Sequence, residues 1–70
     1  MKTVCATVSG RVIQCTAQEG AQVQSGDEVA KVESMKMEIP VEAETGGVIA
    51  RWLVQEGDEV QEGQALVELG

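Results

Sequence analysis

The 70-residue sequence has no histidine, no phenylalanine and no tyrosine, and Trp52 is its single aromatic residue. The lack of histidine removes the commonest general base and metal ligand at neutral pH. Cys5 and Cys15 are the two cysteines, too few for a disulfide framework or, without histidine, for a zinc set. They are expected to be free thiols in a reducing compartment. No apolar run exceeds three residues, which excludes a membrane-spanning helix. The N-terminal Met1-Lys2-Thr3-Val4-Cys5 lacks the apolar stretch of a signal peptide, so a cytoplasmic location is the expectation. No Gly-Lys-Ser phosphate loop is present. Five basic residues against 12 acidic ones leave a net charge of −7. Such a chain repels nucleic acid phosphates and anionic membrane surfaces.

What remains is a small aliphatic domain spanning residues 1–70. Its core must come from Val, Ile, Leu, Ala and Met, and a core this thin needs closed, regular packing. Two glycine-marked blocks resemble each other. The first runs Gly10-Arg11-Val12-Ile13, Gln18-Glu19-Gly20, Val23, Gly26, Val29, and the second Gly46-Gly47-Val48-Ile49, Gln55-Glu56-Gly57, Val60, Gly63, Leu66. The letters align with an offset of 36 at the start and 37 after one extra residue near Val54. Glycine punctuation and period-two patterning predict strands at 2–8, 11–17, 21–24, 28–34, 37–43, 47–54, 58–61 and 64–69. No stripe of helical period is present. The expectation is an all-β fold, a flattened barrel or sandwich of two four-stranded antiparallel sheets related by a pseudo-twofold axis.

Between the blocks lies Glu33-Ser34-Met35-Lys36-Met37, at a hairpin tip. Tight turns recruit Gly, Asn, Asp or Pro, which tolerate or preset the required angles. This turn has none of them, and a local rule broken in this way points to function. Beyond the tip, Ile39, Val41 and Ala43 alternate with polar residues or Pro, as in a half-buried strand. Carried back, that parity turns Lys36 outward and Met37 inward. Pro40 lacks an N–H, so the strand is expected at an edge or bulged. Taken alone, Lys36 reads as a solvated lysine, and Met35 and Met37 as a lid on the core. The functional reading of the two methionines is a soft contact surface for another protein. In the second half the chain stops after Leu69, so the twofold puts the tip and the chain ends at opposite poles.

Met35-Lys36-Met37, preceded by Glu33 and set between glycine-rich half-repeats, resembles the biotinyl domains of biotin-dependent carboxylases and decarboxylases. The resemblance covers essentially the whole chain. The family pattern is Ala-Met-Lys-Met, with biotin joined to the lysine by an amide bond. It implies that Lys36 carries biotin, that Met35 and Met37 flank it for recognition, and that Glu33 and Ser34 contribute less. Ser34 stands where the family has Ala, a small-for-small departure. The short Thr16–Gly20 segment leaves no room for the protruding thumb of some bacterial carriers, so the chain looks like the thumbless type. Lipoyl domains share the fold and use Asp-Lys-Ala at the same hairpin, so the methionines favour biotin.

The residues themselves contain no catalytic constellation and no metal set, so the chain is read as a carrier and not an enzyme. A free lysine side chain, with a pKa of about 10.4, is neutral in roughly one molecule in 2500 at pH 7. Activation is therefore expected from a biotin protein ligase. By the resemblance, the biotinylated domain would shuttle carboxylate between a biotin carboxylase and a carboxyltransferase, as a monomeric module. The acceptor (acyl-CoA, pyruvate or urea) is left open. The alternatives are a lipoyl or dual biotin/lipoyl carrier, with lipoate as the group, and an unmodified adaptor domain of the same fold.

Overall fold

Aliphatic residues alternate with polar ones along much of this chain, and a period of two puts them on one face of an extended strand. In the structure, a computed structural model describing residues 2–70, the outcome is eight strands and, among the described residues, no helix. They are β1 (Lys2–Cys5), β2 (Gly10–Cys15), β3 (Gln22–Val23), β4 (Glu28–Ser34), β5 (Met37–Glu42), β6 (Gly47–Trp52), β7 (Glu59–Val60) and β8 (Ala65–Leu69). All eight were expected. The first is shorter than 2–8, because the chain bends away after Cys5.

The strands form two antiparallel sheets, ordered β1-β8-β6-β3 and β5-β4-β2-β7. Their inner faces close over Val12, Val29, Val32, Val41, Ile49, Leu66, Val67 and Leu69, each at most 2% exposed. Each such side chain contributes about 1.5–3 kcal/mol relative to exposure. Trp52 spans the rim, and its indole N–H donates to the Ala17 carbonyl at 2.8 Å. Pro40 sits on β5, an outer strand, where its missing N–H leaves no ladder bond unmade.

The two halves superpose in register, and the register differs from the one read off the letters. Gly20 N–H donates to the Ile49 carbonyl and Gly57 N–H to that of Val12, both near 2.8 Å; Gly26 pairs with Ala43 and Gly63 with Ala6 in the same way. Glu19 accepts from the Trp52 N–H, and Glu56 from the Cys15 N–H. Every one of these pairs is related by 37 positions, with no inserted residue near Val54. The 36-residue offset came from matching Val12 to Val48. Val48 faces solvent, whereas Val12 and Ile49 are both buried, so Ile49 is the equivalent of Val12. Register slips recur at matched places too, between Val12 and Gln14 and between Ile49 and Arg51.

This symmetry maps β4–β5 onto β8–β1. Among the described residues the β8–β1 ladder reaches Lys2↔Leu69, equivalent to Val32↔Ile39. The β4–β5 hairpin runs two rungs further, Glu33↔Glu38 and Ser34↔Met37. From Met37, β5 runs about 17 Å away from the tip to Glu42. The chain turns there and enters β6, where the Val48 carbonyl accepts from the Gly70 N–H at 2.7 Å. The last residue of the sequence therefore lies at the pole away from the hairpin tip, in a molecule 31 Å long.

Candidate functional site

The hairpin β4–β5 closes with two residues, Met35 and Lys36, at φ 54° and 65°. Positive φ at both central positions is the type I′ geometry, whose twist matches that of the flanking strands. For residues with a Cβ, the left-handed region costs roughly 1–2 kcal/mol each. Such strain, held by a well-formed ladder, is typical of functional turns. Here the ladder of β4 against β5 supplies six registered pairs below the turn.

Lys36 is exposed, as the parity reading required. Among the described residues, the ion pair is Arg51 with Glu68 at 3.6 Å, so no acid lies within 4 Å of the Lys36 amine. No described side-chain hydrogen bond involves Lys36. The amine is unencumbered.

The methionines are placed differently from the inward parity and from the lid reading. Met35 is 91% exposed and Met37 63%. Met37 does keep the parity of Ile39 and Val41, but its rung lies beyond the end of the sandwich, where no opposing sheet covers it. Met35 and Met37 therefore flank the lysine as two exposed, polarisable thioethers. Glu33 is exposed and Ser34 half-buried, both on the last rungs of β4. Neither is hydrogen-bonded to Lys36.

Two features were not foreseen. Glu38 stands directly opposite Glu33, and both are exposed. Like charges so placed oppose strand pairing and make the base of the tip acidic. A two-residue turn fixes this pairing, so the signal was in the sequence once the turn was located. The second is Gly10, over which the Glu33 backbone passes closely. A letter G alone does not reveal a close approach.

In an open groove lined by Ser9, Gly10, Glu59, Val60, Gln61 and Gln64, the Ser9 and Gln64 side chains are tied to the backbone. The Ser9 hydroxyl accepts from the Glu62 N–H at 3.0 Å, and the Gln64 side-chain oxygen from the Gln61 N–H at 3.1 Å. Among the described residues, no three His, Cys, Asp or Glu side chains converge as a metal set. Cys5 and Cys15 are free thiols, outside any disulfide, on strands of different sheets.

Known proteins resemble this chain in sequence and in fold. The biotin/lipoyl family model, described as "Biotin-requiring enzyme", matches residues 3–69. The chain is 42% identical over 67 residues to the biotin/lipoyl attachment protein of Bacillus subtilis (strain 168), covering 96% of this chain and 92% of that one. Its fold matches the urea carboxylase of Kluyveromyces lactis with a TM-score of 0.92 at 29% identity, over 99% of this chain and only 6% of that one. It matches the lipoyl domain of the 2-oxoglutarate dehydrogenase complex from Azotobacter vinelandii with a TM-score of 0.73 at 27% identity, over 96% and 95% of the two chains. The fold of two four-stranded antiparallel sheets is thus that of a biotinyl/lipoyl domain, and the chain belongs to the biotin/lipoyl attachment family.

Proposed function

We propose that this chain is a biotin carboxyl carrier in which Lys36 bears the prosthetic group. The observation that carries the reading is an exposed, unpaired lysine in a left-handed two-residue turn between two exposed methionines. A group joined there extends into solvent and meets no wall of the domain.

The chain's own part is positional. The strained turn offers the amine in one backbone geometry, and the methionines present an adaptable apolar surface to a ligase. The ligase supplies a biotinyl ester. The neutral Lys36 nitrogen attacks the acyl carbon, the C–N bond forms, the ester C–O bond breaks, and a proton leaves the nitrogen. The amide removes the lysine's positive charge, taking the net charge from −7 to −8. Biotin, once bound, supplies a ring nitrogen that accepts and releases carboxylate. Tethering raises the ring's local concentration at a biotin carboxylase and at a carboxyltransferase without any new contact. The acidic body favours basic rims on both and weak, salt-sensitive docking, which suits a module that must leave.

A second reading, a lipoyl or dual carrier, is favoured by the likeness to a lipoyl domain and by the two groups named in the Bacillus subtilis relative. Intact-mass measurement of protein purified from its own host separates the two. A mass increment matching biotin in the parent, absent from a Lys36→Arg variant, is the expected result. A lipoyl increment replaces the proposal with the second reading, and a bare parent chain refutes both.

A further inference from the structure

We propose that Gly10, 26 positions before the lysine, is a positioning residue for Lys36. This rests on the reading of Lys36 as the modified residue. Gly10 is absent from the positive-φ glycines, which are Gly20, Gly26, Gly57 and Gly63. Its backbone angles suit any residue, so it is there for space. A Cβ on Gly10 would overlap the Glu33 carbonyl oxygen and lie 3.0 Å from both the Glu33 carbonyl carbon and Val32 Cγ1. Val32 is fully buried and has nowhere to retreat.

The group that can yield is the Glu33 backbone. The β2–β4 ladder ends at Arg11↔Glu33, so the hairpin beyond it is held only by its own rungs. Those rungs, Glu33↔Glu38 and Ser34↔Met37, couple both strands. A push at Glu33 therefore shifts the whole turn, and Lys36 is three residues on. Displacing a reacting group by about an ångström costs up to roughly 100-fold in rate.

The twofold supplies the control. Gly47 is the equivalent of Gly10, and a Cβ there would lie 3.0 Å from the Gly70 carbonyl oxygen and 3.4 Å from Leu69 Cβ. It is also crowded by backbone, at the pole away from the lysine.

Gly10→Ala, Gly47→Ala and a mild core variant, Ile49→Val, are compared with the parent for labelling by a biotin protein ligase with biotin and ATP. Circular dichroism and Trp52 fluorescence report the folded fraction, and amide chemical shifts report the backbone. Gly10→Ala is expected to lower kcat at least tenfold with KM within threefold, and to shift the Glu33–Met37 amides. Gly47→Ala and Ile49→Val are expected to stay within twofold of the parent. If Gly10→Ala is poorly folded, the measurement is repeated with trimethylamine N-oxide, which favours the compact state. Parent-like kcat in the folded variant overturns the proposal. So does an equal loss in all three variants, which reports stability alone, or a Gly10→Ala chain that stays unfolded in the osmolyte. A parent that is not labelled refutes the Lys36 reading instead.

Discussion

Met35 occupies a backbone conformation that suits Asn or Gly, and its side chain is 91% exposed. Replacing it by Asn, which tolerates the left-handed region and is favoured in type I′ turns, removes strain and forfeits almost no buried surface. Non-Gly residues pay about 1–2 kcal/mol in that region. Relief of about half of this gives a gain of about 0.5–1 kcal/mol. In a domain of 60–100 residues that raises Tm by about 2–8 °C. Met35→Gly relieves the same strain, but the added freedom of the unfolded chain offsets roughly 0.5–1 kcal/mol, so its gain is smaller. Thermal and urea unfolding followed by circular dichroism measure both. The same Met35→Asn variant is expected to be biotinylated more slowly, because a thioether beside the lysine is gone. A more stable, less readily labelled variant would show strain retained for use. An unchanged or lower Tm would refute the reasoning, since it would mean that the turn is relaxed or that Met35 packs.

Two further outcomes are expected. Gly26 and Gly63, at φ 92° and 86° with open space around them, occupy equivalent turns, so Gly26→Ala and Gly63→Ala should each cost about 1–2 kcal/mol; unequal midpoints in urea would contradict the uniform repeat. Cys15 has its thiol pKa raised by burial and by the nearby Glu56 and Asp58 carboxylates, so at pH 8 it should react with a thiol reagent more slowly than exposed Cys5. Because the folded thiol keeps its proton to higher pH than the unfolded one, its contribution to stability is intact below the ordinary thiol pKa of 9.0. It is lost as pH rises through the folded value, and a urea midpoint that does not fall there would refute this.

Individual residues show where the sequence could be read and where it misled. Ile39 and Val41 alternate cleanly, so β5 and its outward-facing neighbours were legible. In β4 and β8 the alternation breaks at Val29-Ala30 and Leu66-Val67, all buried, because register slips turn two successive side chains inward. Such slips follow from partner strands and leave no local mark. Met37 shows the reverse error. Its parity was right, but exposure depends on whether a second sheet reaches that rung, and none does. The repeat offset failed for a related reason, since Val12 matches Val48 by letter but Ile49 by burial.

The sequence by itself determined the all-β class, the eight strands, the doubled half-repeat and the lysine at a turn that lacks the usual turn residues. These are local matters of period, glycine placement and residue type, and each is carried by neighbours along the chain. Only the tertiary structure decided the uniform 37-residue symmetry, the exposure of both methionines and the passage of the Glu33 backbone over Gly10. Those depend on which segments meet across the sheets, and close packing between distant segments is set by the whole fold.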